Sequence, residues 1–70
     1  MTFKVGDQVK IFALKGSRLS KTYIGKRGKI IIVMATPNGS KQWCRVQFSE
    51  NTFDYQDVGS WILEYDQSRL

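Results

Sequence analysis

The residues of this sequence that could do chemistry are its positively charged side chains, because they are concentrated in one part of the chain. Residues 1–41 carry nine Lys or Arg and a single acid, Asp7, whereas residues 42–70 carry two Arg and five acids. Seven positive charges and no acid lie between Lys10 and Lys29. A segment with this charge attracts an acidic partner, and phosphates bind such clusters through the release of counterions. The alternative is that the charges form a solvated, solubilising face.

Aromatic residues close to these cations offer a second way of binding nucleic acid. Tyr23 lies within the basic segment, and Phe12 and Trp43 fall on predicted outward positions of strands. Stacking of a base on an aromatic side chain contributes about 1–3 kcal/mol and tolerates any base. The alternative is that Phe12 and Trp43 cover the end of a small barrel and that Tyr23 pins a loop. The candidate partner-binding residues are Lys15, Arg18, Lys21, Tyr23, Lys26, Arg27, Lys29, Trp43 and Arg45.

Enzyme chemistry is poorly supported by the residue types present. The chain has no histidine, which is the commonest general base and the commonest metal ligand. Cys44 alternates with Val46 and Phe48, so we expect a buried thiol, and a buried thiol without a basic partner is inert. The acids of the C-terminal half do not have the spacing of a metal-binding loop. We therefore expect a protein that is not an enzyme, with no catalytic residue, cofactor, metal or small-molecule substrate.

Cysteine usage and hydropathy bear on location. A single cysteine cannot form an internal disulfide, which fits a reducing compartment. The longest apolar stretch, Ile30–Ala35, is six residues and has the length of a strand rather than of a membrane span. The N-terminus lacks the basic flank and apolar core of a signal peptide. We expect a cytoplasmic protein without membrane insertion, or one in the plastid stroma if the chain is plastid-encoded.

Alternation of apolar and polar residues predicts the elements that position these side chains. Val5, Val9, Ile11 and Ala13 alternate with Gln8, Lys10 and Phe12, which is typical of a half-buried strand entered through the turn Val5–Asp7. Segment 14–22 is polar and basic without a helical period, and we predict a long loop there. Tight turns are predicted at Gly25–Gly28, Pro37–Ser40, Ser49–Asn51 and Asp57–Ser60. Strands are predicted at Gln8–Ala13, Lys29–Ala35, Lys41–Phe48, Thr52–Gln56 and Trp61–Tyr65.

Five short strands and no helix predict an all-β protein, and closure into a barrel would remove the exposed edges of so small a sheet. We predict one domain over residues 1–70, with the fold spanning about residues 3–65. The predicted core consists of Val9, Ile11, Ile30, Ile32, Cys44, Val46 and Phe48.

Several motifs resemble those of known small barrels. The opening VGDQVKI, the GKRGKI segment, the Asn-Gly hairpin and CRVQF resemble SH3-like barrels over about residues 3–65. KOW-type modules of ribosomal proteins and transcription elongation factors are similar around Gly25–Ile30, where their glycine-basic-glycine turn faces nucleic acid. The segment NGSKQWCRVQFSENTF is similar to small SH3-like accessory subunits of photosynthetic electron-transfer complexes. The resemblance implies a single five-stranded SH3-like barrel with a long basic loop between the first two strands.

Two functions are consistent with these features. The first is a non-catalytic binding module whose basic face docks nucleic acid, RNA or DNA, or a ribonucleoprotein or transcription complex. The alternative is an accessory subunit that docks on an acidic surface of a larger protein complex, such as a photosynthetic electron-transfer complex. A small regulatory or inhibitor protein is a further form of the alternative.

Overall fold

Five antiparallel strands form one sheet in the computed structural model, which describes residues 3–16, 18–35, 39 and 41–66. The strands are β1 Gln8–Ile11, β2 Arg27–Ala35, β3 Gln42–Gln47, β4 Tyr55–Gly59 and β5 Leu63–Tyr65, and their order across the sheet is β4-β3-β2-β1-β5. No hydrogen-bonded pairing joins β4 to β5 in the described ranges, so hydrogen bonds do not close the sheet into the expected barrel. No helix in these ranges is long and apolar enough to cross a membrane. Two 3-10 turns complete the described structure, Lys21–Tyr23 between β1 and β2 and Ser60–Ile62 between β4 and β5.

The first two strands keep the predicted alternation but differ from the prediction at their ends. Val9 and Ile11 are fully buried, and Val5, 64% exposed, lies in the predicted turn that precedes the strand. β2 begins at Arg27 rather than at Lys29, because Lys10 pairs with Arg27 across β1 and β2. Arg27 therefore lies in a strand instead of in the predicted turn.

A β-bulge in the middle of β2 reverses the faces of its second half. Ile30 pairs with Val46, and Ile32 pairs with the preceding residue of β3, Arg45, so Ile31 is the extra residue. Because side chains alternate along a strand, one extra residue exchanges the inward and outward positions beyond it. Ile30 is fully buried, but Ile32 is 38% exposed, and the prediction that Ile32 belongs to the core is wrong.

The fourth strand lies later in the chain than predicted. Asn51 organises a turn that extends to Asp54, since its side-chain oxygen accepts from the Phe53 amide at 2.9 Å and its carbonyl accepts from the Asp54 amide at 3.0 Å. The strand therefore starts at Tyr55, and the predicted strand Thr52–Gln56 is wrong in position. The predicted turn at Asp57–Ser60 is also wrong, because Val58 pairs with Cys44 inside the sheet. Of the predicted hairpin turn at residues 37–40, residues 37, 38 and 40 lie outside the described residues.

The core lies on the inward side of the sheet and is closed by the N-terminal segment. Of the predicted members, Val9, Ile11, Ile30, Cys44 and Val46 are confirmed as buried, and Phe48 is half-buried against them. Phe3 is held by a two-way contact with one side chain, since the Gln42 amide accepts from the Phe3 amide at 3.0 Å and donates to the Phe3 carbonyl at 2.8 Å. The buried hydrophobic side chains not predicted from the sequence are Phe3, Val58, Ile62 and Leu63.

Candidate nucleic-acid interface

The loop between β1 and β2 is closed at its base by backbone hydrogen bonds. The Ile11 amide donates to the Lys26 carbonyl at 3.0 Å, and the Gly25 amide donates to the Ile11 carbonyl at 2.8 Å. Gly25 has φ +87°, a left-handed conformation that glycine adopts without strain. Leu14 and Leu19 pack against the core from within the loop. The long basic loop predicted from the sequence is thus attached to the sheet at its base and along its length.

The basic residues of this loop and of the start of β2 are exposed. None of Lys15, Arg18, Lys21, Lys26 and Lys29 forms an ion pair with another described residue. Arg27 differs, because its Nε lies 3.6 Å from an oxygen of Asp66, a carboxylate whose side chain is only 2% exposed. These cations are therefore available to an external anion, with Arg27 partly engaged by its own chain.

Two of the cations line a cleft at the start of β2. The cleft has a volume of about 290 Å³ and is bordered by Arg27 and Lys29 of β2, by Gln8 of β1 and by Gln47 and Glu50. A Cβ atom at Gly28 would lie 2.6 Å from the Gln47 carbonyl oxygen, so glycine allows the two strands to approach closely here. We call this depression the β2 cleft. Its cations can contact a phosphate, while Glu50 makes one end of it acidic.

Tyr23 lies beside the β2 cleft, but its ring is already covered. The Lys26 ammonium is 4.9 Å from the centroid of the Tyr23 ring, and the Phe48 ring is 5.5 Å away. The Tyr23 hydroxyl accepts a hydrogen bond from the Gln56 side chain at 3.2 Å. The half-buried ring therefore anchors the loop to β4 and to Phe48, which follows β3, and this favours the pinning role over the stacking role for Tyr23.

A second cleft is built around the pair of tryptophans. Trp43 and Trp61 have ring centroids 5.0 Å apart and ring planes at 78°, and they are 38% and 37% exposed. The cleft has a volume of about 340 Å³ and is also lined by Arg18 from the loop and by Asp57 and Gly59 from β4. We call it the tryptophan cleft. It brings two predicted residues, Arg18 and Trp43, to one site.

Trp61 is the residue of this site that the sequence prediction missed. Its indole nitrogen donates to the Lys15 carbonyl at 2.8 Å. Its six-membered ring lies directly over Gly59, where a Cβ atom would overlap the ring. Gly59 is also the cross-strand partner of Trp43. The sequence offers only a glycine two residues before a tryptophan as a signal, and the pairing of Gly59 with Trp43 that leaves room for the indole is seen only in the structure.

Arg45 and Asp57 form a bidentate ion pair on the outer face of the sheet, beside the tryptophan cleft. Asp57 accepts hydrogen bonds from Arg45 at 2.8 and 3.1 Å. These bonds lower the pKa of Asp57 and raise the pKa of Arg45. The Arg45 guanidinium also lies 4.3 Å from the centroid of the Tyr55 ring. Arg45 was predicted to bind a partner, but its charge is largely compensated by Asp57.

Cys44 occupies a core position rather than a cleft. It is fully buried, as predicted. Burial raises the pKa of its thiol, and the negative charge of Asp7 raises that pKa further. In the ranges that the structure describes, no three His, Cys, Asp or Glu residues are grouped so as to hold a metal ion.

The predicted binding residues thus fall into separate groups. Tyr23, Lys26, Arg27 and Lys29 lie at or beside the β2 cleft, whereas Arg18 and Trp43 line the tryptophan cleft. Lys15 adjoins the second group through its carbonyl, and Lys21 is exposed in the 3-10 turn of the loop.

Comparisons of the chain with protein families, with curated proteins and with solved structures find no match.

Proposed function

We propose that this protein is a non-catalytic SH3-like module that binds RNA or DNA through its basic loop and the start of β2. The observation that carries the proposal is the set of exposed cations Lys15, Arg18, Lys21, Lys26 and Lys29, none of which pairs with an acid of the described chain. The strand order β4-β3-β2-β1-β5 and the long loop between β1 and β2 support the proposed fold type.

Electrostatics explain why a polyanion suits this surface. Exposed cations without an acidic partner pay little desolvation or rearrangement cost when they meet phosphates, and each contact releases counterions. Such contacts position a strand without reading its sequence. Glu64 contacts Lys10 at 3.2 Å and Asp57 is held by Arg45, so these two acids do not pair with the cations of the loop, whereas Glu50 makes one end of the β2 cleft acidic. The basic surface therefore keeps its positive charge.

The test is the salt dependence of binding to a labelled single-stranded oligonucleotide of about ten nucleotides, followed by anisotropy. Affinity should fall steeply with salt, with a log–log slope of about −0.7 for each phosphate neutralised. Lys26→Gln and Lys29→Gln should each reduce the magnitude of the slope by about 0.7. Lys4→Gln is the matched control, because Lys4 is exposed, carries the same charge and borders neither cleft.

Two results would contradict the proposal. The absence of binding even at low salt would remove nucleic acid as the partner. Equal changes of slope for Lys4→Gln and Lys29→Gln would show that net charge, and not this surface, determines the affinity.

A second candidate function, docking on a protein complex as an accessory subunit, is favoured by an exposed apolar face. The bulge in β2 turns Ile32 and Met34 outward, and Met34 pairs with Trp43 across the sheet. Ile32 and Met34 are 38% and 46% exposed. Under this candidate, Ile32→Ser with Met34→Ser would abolish co-purification with a large complex while nucleic-acid binding is weak at physiological salt. Phe53→Ser, at a side chain 87% exposed and remote in sequence, serves as the control.

A further inference from the structure

The tryptophan cleft presents aromatic surface that is held in place on three sides. The two indoles stand nearly perpendicular at 78°, and more than a third of each remains exposed. Trp61 is fixed by the Lys15 carbonyl at 2.8 Å and by contact with Gly59. A ring held in one orientation loses little conformational entropy when a flat ligand stacks on it. The cleft is therefore suited to a planar aromatic ligand.

The charges around the cleft are those that an anionic ligand requires. Arg18 lines it and pairs with no acid of the described chain. The Lys41 ammonium lies 5.9 Å from the centroid of the Trp61 ring. Asp57, the acid among the described residues that line the cleft, already accepts hydrogen bonds from two nitrogens of Arg45. A cationic ligand would meet the positive charge of Arg18 here, whereas a nucleotide offers a planar base and a phosphate together.

We infer that the tryptophan cleft receives an unstacked base of a single-stranded nucleic acid, with Arg18 contacting the adjacent phosphate. This inference rests on the proposed function. It adds that the ligand is single-stranded and that one of its bases occupies the tryptophan cleft. A duplex keeps its bases stacked on each other, so only a single strand or a loop can supply a free base to an aromatic surface. The phosphates that follow lie along the basic loop toward the β2 cleft.

Tryptophan fluorescence reports on this cleft alone, because Trp43 and Trp61 are the two tryptophans of the chain. The probes are a single-stranded uridine oligonucleotide and a duplex of the same length, each titrated into the full chain. We expect quenching of the emission by the single strand at the concentrations at which it binds. We expect the duplex to leave the emission unchanged, even where anisotropy detects its binding through phosphate contacts.

Substitutions separate stacking from charge. Trp43→Leu keeps an apolar side chain and should weaken single-strand binding by roughly five-fold to a hundred-fold without changing the salt slope, because stacking releases no counterions. Arg18→Gln lies at an exposed position and should reduce the magnitude of the salt slope by about 0.7 without affecting folding. Phe53→Leu, at an exposed aromatic that lines neither cleft, should change neither quantity. Thermal melts verify that each variant is folded.

The outcomes distinguish this inference from the proposed function. If the single strand binds with its normal salt slope but neither quenches the emission nor responds to Trp43→Leu and Arg18→Gln, the inference is overturned and the proposed function stands. Quenching by a proline-rich peptide and not by the oligonucleotide also overturns it and identifies a peptide groove. If no oligonucleotide binds at low salt, the proposed function itself fails.

Discussion

The indole nitrogen of Trp61 donates a hydrogen bond to the backbone carbonyl of Lys15 at 2.8 Å, across 46 residues of sequence. This bond joins the basic loop to the 3-10 turn that precedes β5. Together with the contact between the Gln56 amide and the Tyr23 hydroxyl, it holds the loop on the sheet at two separate points. The positions of the cations on the loop therefore depend on residues in the last third of the chain.

Trp61→Phe should loosen the loop with a modest loss of stability. The hydrogen bond is exposed, and the Lys15 carbonyl can bond to water instead, so we expect a cost of about 0.5–1.5 kcal/mol in urea unfolding. Amide exchange of residues 14–16 should accelerate relative to that of β2. Trp43→Phe is the matched control, because its indole makes no such bond, and equal acceleration in both variants would contradict the anchoring role.

Gly59→Ala should destabilise the protein because of one neighbour. The added methyl group would overlap the ring of Trp61, and displacing that ring should cost about 1–3 kcal/mol. In a Trp61→Ala background the space is open and the cost should largely vanish. A double-mutant cycle measured by urea unfolding should then give a coupling above about 0.5 kcal/mol. Additive effects of the two changes would show that the close packing of Gly59 on Trp61 is wrong.

Ile30→Ala and Ile32→Ala should differ strongly although the residues are two positions apart. Ile30 is fully buried, and its truncation should cost about 2–5 kcal/mol. Ile32 lies beyond the bulge and is 38% exposed, so its truncation should cost less than about 1 kcal/mol. Urea midpoints of the two variants provide the measurement. Similar losses for both would support the unbulged register that the alternation alone predicts.

Ionisation of the Cys44 thiol should lower the free energy of unfolding at alkaline pH. Its pKa is raised in the folded state by burial and by Asp7, so the unfolded chain releases the proton at lower pH than the folded chain. The contribution of the protonated thiol to the free energy of unfolding is fully present below the unfolded pKa of about 8.5. It falls as the pH rises from there toward the pKa of the folded state. Urea unfolding between neutral pH and about pH 9.5 should show this fall in the wild type. The Cys44→Ala control should lose less of its free energy of unfolding over the same pH range. Parallel curves of the free energy of unfolding against pH for the two proteins would contradict the raised pKa of Cys44.

Much of the fold could be predicted from local patterns. Alternation correctly placed Val9 and Ile11 inside β1, and Cys44 and Val46 inside β3. It failed at Thr52–Gln56, because the turn organised by the Asn51 side chain takes up residues that have the composition of a strand. In the candidate site, exposure of Arg18, Lys26 and Lys29 followed from their charge. Their separation between two clefts did not, because it depends on how the loop packs on β4.

The sequence by itself determined the all-β character, the basic loop and its charge, and most of the core, since these depend on residue type and on a period of two. Only the tertiary structure decided that Ile32 faces outward, because the bulge is defined by pairing with a strand more than ten residues later. It also decided that Trp61 meets Trp43 over Gly59, and that Arg18 joins them at one cleft. Contacts of this kind depend on how distant segments fill the space beside a particular glycine, and no local pattern encodes that space.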